Sequence, residues 1–289
     1  MRLRRSMLYV PGNAPAMLRD AHIYGPDSVM FDLEDSVSPR EKDAARHLVF
    51  RALKDYDYAG VERVVRVNGL DTPYGLEDIQ AVVAGGVDAV RLPKTDCPED
   101  LLAVERAVEA AERRFGRPSG SVKLIAAIES ARGILSAREI AACSPRLVAI
   151  AIGAEDFVTD LHTTRSPEGV ELLAARSLLV MAARAAGIMA IDTVFTGVDD
   201  EEGFLREARL AKQLGFDGKS VIHPSQVALI RFVYEPSPEE IAKARRVVEA
   251  AADAEAKGSG VVSLDGKMID KPIVERALRV LALAGEASE

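Results

Sequence analysis

The sequence has no tryptophan, only two cysteines and no long apolar run. Cys97 and Cys143 form no CxxC pair and are too few for a disulfide framework, so we expect reduced thiols in a cytoplasmic protein. The longest apolar runs, such as that from Leu147 to Ile152, are far shorter than the ~18 residues that a membrane span needs. These absences exclude a disulfide-stapled secreted scaffold and predict a protein without a transmembrane segment.

An excess of basic charge is also missing. The 37 Lys and Arg residues are outnumbered by 45 Asp and Glu residues, which gives a net charge of −8. Without basic clusters we expect no nucleic-acid partner, whereas a small anionic ligand needs only a few placed cations. The arginine-rich residues 1–5 are followed by Pro11, Gly12 and Asn13, which end the apolar run too early for an export signal.

Short apolar, β-branched runs alternate with longer amphipathic stretches, which is typical of repeated βα units. A chain of 289 residues fits either one large barrel or two modest domains. Eight runs, the number that closes a parallel barrel, lie at residues 7–10, 28–31, 63–67, 89–92, 123–128, 147–152, 188–192 and 219–222. The runs are mostly apolar and do not alternate with polar residues in a strict two-residue period, as expected for strands covered on both faces. We therefore predict an α/β fold, a (β/α)8 TIM barrel.

The pattern changes after the last run. Residues 237–256 predict one long helix, a Gly-Ser-Gly break follows at 258–260, and the chain then ends in a helix with an apolar stripe. We expect residues 1–235 to form the barrel domain and residues 236–289 to form a C-terminal helical extension. This extension is too short to fold alone, so it must pack on its own barrel or on that of a neighbouring subunit.

Three Ser-Pro motifs predict helix starts. Ser38 and Ser237 each precede a proline and have a glutamate three residues later, which is the pattern of an N-cap with a capping box. Ser166 begins a shorter version of the same motif.

Charged and polar side chains collect where the predicted strands end. They are Asp32, Glu34, Asp35, Arg66, Asn68, Arg91, Lys94, Glu129, Glu155, Asp156, Asp192 and His223. In a βα barrel these ends carry the functional residues, and buried charges are costly unless they are paired or bound to a metal. Converging carboxylates without a Cys or His pair indicate Mg²⁺. Glu129 and Asp156, on neighbouring strands, are the candidate ligands; alternatively, such carboxylates cap helices or pair with arginine.

The cations at the same ends fit an anionic substrate. Arg66 either holds a carboxylate through two parallel hydrogen bonds or forms a structural ion pair with a carboxylate of the second strand. Lys94 is either a surface or phosphate-binding residue or a Schiff-base lysine. His223 is expected to be a hydrogen-bonded loop residue, and the turn at residues 10–13 offers backbone N–H groups to a phosphate.

These residues belong to motifs that resemble a known family. RSMLYVPGN, MFDLEDSVSPREKDAAR, VVRVNGLDTPYG, VRLPKTD, IESARGIL, GAEDF, RSPEG, GFDGKSVIHPSQ and VVSLDGKMID occur in this order from about Arg5 onward. Together they resemble the citrate lyase β-subunit family of the HpcH/HpaI aldolase superfamily. The resemblance implies a TIM barrel that breaks a carbon–carbon bond in a hydroxyacyl thioester with Mg²⁺ as its cofactor.

The resemblance also implies roles for four residues. Glu129 and Asp156 would bind the metal, and Arg66 would hold a carboxylate of the oxaloacetate portion of the substrate. Asp270, in the MID motif, would enter the active site of an adjacent subunit and protonate the departing enolate. Closed rings satisfy such an exchange, so we expect a homotrimer or a hexamer of two trimers. Asp270, Arg66 and Glu129 form the implied catalytic set, and Arg66 and Glu129 also contact the substrate.

The implied activity is that of a citryl-CoA or citryl-ACP lyase, which splits a citryl thioester into an acetyl thioester and oxaloacetate. CoA or an acyl carrier protein would carry the citryl group, and the citrate lyase α and γ subunits are candidate partners. The alternative enzyme is a stand-alone malyl-CoA, citramalyl-CoA or β-methylmalyl-CoA lyase of the same superfamily. The alternative of a different class is a non-catalytic assembly subunit, although a scaffold has no need for these buried carboxylates.

Overall fold

The eight apolar runs form eight parallel strands. The computed structural model describes residues 2–256, 262–264 and 266–285, and in it the strands pair in chain order until β8 returns to β1. The strands are β1 (Ser6–Pro11), β2 (Ser28–Asp32), β3 (Glu62–Arg66), β4 (Ala89–Leu92), β5 (Lys123–Ile128), β6 (Leu147–Ile152), β7 (Met189–Asp192) and β8 (Gly218–Val221). The closed ring confirms the predicted (β/α)8 barrel, and every strand boundary lies within one residue of its prediction.

Helices connect successive strands, and further helices come after β8 in the sequence. They are α1 (Pro15–Asp20), α2 (Lys42–Asp55), α3 (Gly75–Gly85), α4 (Pro98–Arg114), α5 (Ala131–Leu135), α6 (Ala137–Ala142), α7 (Ala154–Asp160), α8 (Val170–Ala186), α9 (Glu201–Leu214), α10 (Pro224–Tyr234), α11 (Pro238–Ala256) and α12 (Lys271–Leu283). Within the described residues, none of these helices has the length and apolarity required to cross a bilayer.

The Ser-Pro motifs predict one helix start correctly and miss two. At α11 the capping box is present, because the Glu240 N–H donates to Ser237 Oγ and the Ser237 N–H donates to a Glu240 carboxylate oxygen. The prediction at Ser38 is wrong: residues 38–41 close a turn of their own, and α2 begins only at Lys42. The prediction at Ser166 is also wrong, since α8 begins after Gly169, which has a φ of 65°.

The barrel interior has an apolar layer below a charged one. The apolar layer consists of Met7, Met30, Val64, Ala89, Ile125, Ala149, Ala151, Met189 and Ile191. Alternate residues of a strand face the same side, so the positions two residues further along also point into the barrel. On β1 to β4 these positions hold Tyr9, Asp32, Arg66 and Arg91. The strand period therefore brings polar side chains together at the carboxyl end of the barrel.

Residues Tyr234–Glu289 form a second compact unit, separate from Met1–Val233. This unit contains α11, a two-stranded antiparallel hairpin of β9 (Val262–Leu264) and β10 (Lys267–Ile269), and α12. Its small core contains Ala244, Val247, Ile269, Ala277 and Leu281. The predicted Gly-Ser-Gly break at 258–260 lies outside the described residues. The expectation that the extension packs on a neighbouring subunit stays a prediction.

A buried ion pair connects helix α4 to the residue that precedes β6. Glu112 on α4 accepts hydrogen bonds from both terminal nitrogens of Arg146, at 3.0 and 2.9 Å. The same carboxylate accepts N–H bonds from Gly120 and Val122. Burial alone would raise the pKa of Glu112, but these donors outweigh it and lower the pKa to about 2. Glu112 therefore stabilises the fold only while it is ionised.

We expect Glu112→Gln to lower the free energy of unfolding by about 3 kcal/mol at pH 7, because it leaves Arg146 buried without its main counter-charge. A lowered carboxylate pKa gives a contribution that is complete above the unfolded-state pKa, near ~4.5, and is lost as the pH falls toward the folded value. The difference between wild type and variant should therefore shrink at pH 3.5. Urea unfolding at both pH values measures it.

Glu109→Gln is the matched control, since Glu109 meets the same arginine at 3.6 Å from a more exposed position. It should change stability by less than about 1 kcal/mol. An equal loss from the two substitutions at pH 7 would contradict the assignment.

Candidate active site

A cavity of about 320 Å³ opens at the carboxyl ends of the barrel strands. Its wall includes Tyr9, Asp32, Arg66, Arg91, Glu129, Gly153, Glu155, Asp156, Thr193 and Ser220. Three of the four predicted site residues, Arg66, Glu129 and Asp156, thus line one cavity. The fourth, Asp270, belongs to the second unit and is described below.

Arg66 is held in place by carboxylates of the neighbouring strand and loop. Its Nε and Nη2 donate to the two oxygens of Asp32, both at 2.7 Å, and its Nη1 lies 2.9 Å from Glu34 Oε2. Asp32 is oriented in turn by the N–H groups of Glu34 and Ser36. The structural ion pair considered for Arg66 is therefore present. A guanidinium has five N–H donors, so the group retains donors for a ligand.

Lys94 continues this network beyond the residues that line the cavity. Its ammonium lies 2.6 Å from Glu34 Oε1, and its backbone has a φ of 48°. Burial alone would lower the pKa of Lys94, but the contact with Glu34 outweighs it and holds the pKa above its ordinary value. A Schiff-base lysine needs a neutral amine, so this environment is wrong for that chemistry and fits an ion-pairing residue.

Glu129 is a buried carboxylate with an unsatisfied oxygen. It follows β5, its side chain is about 5% exposed, and its Oε2 has no hydrogen-bond partner. Burial raises the pKa of Glu129 to about 7; the nearby Asp156 adds to the shift, whereas Arg91 and Arg66 oppose it. When this carboxylate is ionised, its Oε2 has no direct partner among the described residues, and a bound cation would supply one.

Gly153 makes room for this carboxylate. A Cβ atom at Gly153 would lie 2.5 Å from Glu129 Cγ and 2.8 Å from Cδ. Only glycine allows the β6 terminus to approach Glu129 so closely. The glycine of the GAED motif therefore leaves space for the Glu129 side chain, in addition to the acidic residues that the motif provides.

Asp156 and Glu155 are neighbours with different surroundings. Both lie in the first turn of α7, whose first N–H, at Ala154, donates to Thr193 Oγ1. Glu155 points to Arg165, which it meets at 2.9 Å, and is largely exposed. Asp156 is half-buried and lies close enough to Glu129 to act on its charge. Asp156 is thus the acidic residue of this turn that is placed to share a cation with Glu129.

Arg91 is a site residue whose importance sequence reasoning missed. It is 2% exposed, lines the cavity, and has two nitrogens, Nε and Nη1, without hydrogen-bond partners. Its guanidinium and that of Arg66 lie against the ring of Tyr9, at 5.6 and 5.2 Å from the centroid. The available signal was its position two residues after the interior residue Ala89.

Three of the strand-end carboxylates pair with cations of the protein itself, which is the alternative to metal binding. Asp192 is fully buried but lies between Arg176, at 2.8 Å, and Lys219, at 2.9 Å. Asp32 is neutralised by Arg66, and Glu34 by Arg66 and Lys94. Because cations from other elements balance these charges, Glu129 and Asp156 are left as the candidate metal ligands.

The two remaining loop candidates are satisfied locally. His223 Nδ1 pairs with Ser225 Oγ at 2.8 Å and also accepts the Ser225 N–H, which confirms the expectation of a hydrogen-bonded loop residue. In the turn at residues 10–13, the Gly12 N–H donates to the carbonyl of Asp32. This N–H is therefore not available to a phosphate.

Asp270 precedes α12 and caps it. Its side chain accepts the backbone N–H of Ile273 at 3.2 Å. An N-cap carboxylate stabilises its own helix, so this contact accounts for the residue locally. A role for Asp270 in catalysis stays a prediction.

The donor set fits a hard divalent cation. Within the described part of the chain, no three or more His, Cys, Asp or Glu side chains cluster as metal ligands. Two carboxylates, one of them with an orphaned buried oxygen, match a cation that completes its shell with water and substrate oxygens. Glu129 and Asp156 are the residues that would hold Mg²⁺.

Comparison with known proteins identifies the family of this site. The sequence profile of the HpcH/HpaI aldolase/citrate lyase family matches residues 5–224. The chain belongs to this family. It is 55% identical over 284 residues to the citrate lyase subunit beta of Haemophilus influenzae, with 98% of both chains covered. As an HpcH/HpaI family member with such relatives, the chain is an enzyme of the lyase class.

Solved structures of the family share its fold. The protein CitE from Mycobacterium tuberculosis in complex with magnesium, acetoacetate and coenzyme A has a TM-score of 0.80 and 32% identity, covering 99% of this chain and 100% of that one. The citrate lyase beta subunit from M. tuberculosis complexed with oxaloacetate and magnesium has a TM-score of 0.68 and 32% identity, covering 81% and 98%.

We expect Gly153→Ala to displace the Glu129 side chain, because the new methyl group would overlap Cγ and Cδ. Overpacking of this kind costs about 1–3 kcal/mol of stability. A crystal structure of the variant should show the carboxylate moved, and thermal unfolding should show a lowered Tm.

Gly197→Ala provides the matched control. Its added Cβ would first meet Phe195 Cε1, at 3.1 Å, and Glu129 should stay in place. If Glu129 keeps its position in Gly153→Ala as well, the close approach described here is not what positions it.

Proposed function

We propose that this enzyme is a Mg²⁺-dependent citryl thioester lyase, which releases an acetyl thioester and oxaloacetate. The observation that carries the proposal is the buried, unpartnered Glu129 oxygen, facing a cavity that Asp156 and two arginines also line. The magnesium and oxaloacetate complex of the M. tuberculosis relative supports it. The near-full-length similarity to citrate lyase β subunits favours a citryl thioester over malyl, citramalyl or β-methylmalyl thioesters as the substrate.

Glu129 and Asp156 hold the cation in this proposal. When bound, Mg²⁺ supplies Lewis-acid stabilisation of negative charge on substrate oxygens. The two carboxylates come from the ends of β5 and β6, adjacent strands of the barrel, so their separation is set by the sheet. Gly153 keeps Glu129 in its buried position.

Arg66 binds a carboxylate of the oxaloacetate portion. Two of its nitrogens are fixed by Asp32, so the plane of the guanidinium is oriented before the substrate arrives. The N–H donors that Asp32 and Glu34 do not use remain available toward the cavity. Arg66 thus combines its structural ion pair with substrate binding.

The reaction balances without an additional oxidant or reductant. A base accepts the proton of the citryl tertiary hydroxyl, the carbon–carbon bond breaks, and the electron pair of that bond passes to the thioester fragment, which leaves as an enolate. The oxygen that lost the proton becomes the ketone of oxaloacetate. A proton is then added to the enolate carbon, which yields the acetyl thioester. We assign delivery of this proton to Asp270.

Asp270 reaches the reaction, in this proposal, from a neighbouring subunit. The extension 236–289 then packs on the adjacent barrel, and the assembly is a homotrimer or a hexamer of two trimers. The citryl group arrives on CoA or on an acyl carrier protein, and the citrate lyase α and γ subunits are the proposed partners. The free thiols Cys97 and Cys143 fit a reducing compartment, the cytoplasm.

We expect Glu129→Gln and Asp156→Asn each to lower kcat/KM for citryl thioester cleavage by at least about 100-fold while the fold is retained, since each removes a charge on the metal. EDTA should inactivate the wild type, and Mg²⁺ should restore it. The measurement couples oxaloacetate release to malate dehydrogenase, with (3S)-citryl-CoA, citryl carrier protein and malyl-CoA assayed in parallel.

Glu155→Gln is the matched control, because Glu155 is the adjacent acidic residue but pairs with Arg165. It should keep activity within about threefold. Full activity of the wild type in EDTA would contradict the metal role, and cleavage of malyl-CoA alone would overturn the citryl assignment.

We expect two inactive proteins, Asp270→Ala and Glu129→Gln, to regain part of the activity when their subunits exchange. If Asp270 crosses to a neighbour, some sites in the mixed assembly combine an intact barrel with an intact extension. Mass spectrometry verifies the exchange, and the coupled assay measures the recovery.

Asp270→Asn serves as a second variant, because an Asn side chain still caps α12 but holds no transferable proton. It should be as stable as the wild type and inactive. Verified exchange with no recovered activity means that Asp270 does not serve a neighbouring site.

A further inference from the structure

Arg91 is a buried charge on the cavity wall, where Glu129 lies close enough for the two charges to interact. Its side chain is 2% exposed, and it forms no ion pair with any residue in the part of the chain that the structure describes. Its Nε and Nη1 have no hydrogen-bond partners. An unpaired buried guanidinium costs several kcal/mol, so a ligand that supplies the missing anion is the economical explanation.

The other buried arginines of the barrel domain differ in this respect. Each forms an ion pair at 2.6–2.9 Å: Arg4 with Glu62, Arg46 with Asp78, Arg146 with Glu112 and Arg176 with Asp192. None of these four lines the active-site cavity, whereas Arg91 does. The lack of an ion-pair partner is therefore specific to the buried arginine that lines the cavity and is not a general feature of buried arginines in this fold.

Arg91 and Arg66 form a pair of guanidiniums. They occupy partnered positions on β3 and β4, and both lie against the ring of Tyr9. Asp32 and Glu34 compensate Arg66. Once a divalent cation balances Glu129 and Asp156, Arg91 is the charge on this wall that still lacks a counter-charge.

The ligand group that Arg91 can reach is small. Arg91 is almost fully buried at the inner wall of a cavity of about 320 Å³, so its N–H groups meet the acyl portion of a substrate and not its carrier. The Nε and Nη1 N–H groups point to different sides of the planar guanidinium, so a carboxylate oxygen can accept a charge-assisted hydrogen bond from either one.

We propose that Arg91 is a specificity-determining residue that binds the second carboxylate of the oxaloacetate portion, the group that pyruvate replaces with a hydrogen. This inference rests on the proposed function and deepens it. Citryl thioesters carry this carboxylate, whereas citramalyl and malyl thioesters have a methyl group or a hydrogen in place of the carboxymethyl group. Arg91 then selects among the substrates of one barrel, because a site built around a charged donor rejects an analogue that leaves it unpaired.

The test compares oxaloacetate with pyruvate as ligands of the wild type and of Arg91→Met, in saturating Mg²⁺, by isothermal titration calorimetry. Arg91→Met should raise the Kd of oxaloacetate by at least about 30-fold and leave that of pyruvate within about threefold. Arg91→Gln, which keeps a polar group but no charge, should give an intermediate loss and serves if the methionine variant fails to fold. Citryl-CoA and citramalyl-CoA cleavage are assayed with the same proteins.

Arg63→Met is the matched control, since Arg63 is on β3 but pairs with Asp88 on the strand's other face. It should leave both Kd values unchanged. An equal loss of both ligands, or an unchanged preference for oxaloacetate, overturns the role of Arg91. If the wild type cleaves no citryl thioester, yet its preference for oxaloacetate depends on Arg91, the proposed function fails and the Arg91 assignment stands.

Discussion

The Asp32–Arg66 ion pair is the interaction on which the active-site end of the barrel depends. Burying a charged group inside a barrel removes it from water, so an unpaired carboxylate or guanidinium there would destabilise the fold. Here both partners come from paired positions on adjacent strands and meet through two hydrogen bonds at 2.7 Å. Loop N–H groups donate to the Asp32 carboxylate, and Arg66 and Lys94 both pair with Glu34, which extends the network. The cavity wall is therefore rigid before any ligand binds.

The same requirement for compensation separates functional charges from structural ones. Asp192 and Glu112 are as deeply buried as Glu129, yet each is surrounded by cations or N–H donors. Glu129 and Arg91 are buried and incompletely satisfied, and both face the cavity. Unsatisfied buried groups are uncommon in folded proteins. Such atoms also occur on Arg46 and Arg176, but each of those side chains pairs with a carboxylate. Glu129 and Arg91 have no such direct partner among the residues that the structure describes and share one cavity, which locates the site independently of any resemblance.

Much of the fold was predictable because its signals are local. The strand bounds of β4, β5 and β6 match the apolar runs, since turn residues and charges border each run. The Ser38 and Ser166 motifs were misleading because a Ser-Pro sequence can also begin a turn. In both cases the N–H of the third residue after the serine, Glu41 or Gly169, donates to the serine carbonyl. For the site, strand ends converge by topology, so Arg66, Glu129 and Asp156 could be placed together from the sequence. The pairing of Asp192 could not be predicted from the sequence, because its partners Arg176 and Lys219 come from other elements. The role of Arg91 could not be recognised either, because many other charged residues lie at the strand ends.

The contact of Tyr9 with both guanidiniums has a spectroscopic consequence. The chain has no tryptophan and six tyrosines, so no indole emission obscures its phenol fluorescence. Tyr9 lies in the cavity wall, with Arg66 and Arg91 against its ring. A ligand that draws either guanidinium away from the ring alters the electric field at the phenol. The protein thus contains an intrinsic optical reporter of ligand arrival, which requires neither a label nor a coupled enzyme.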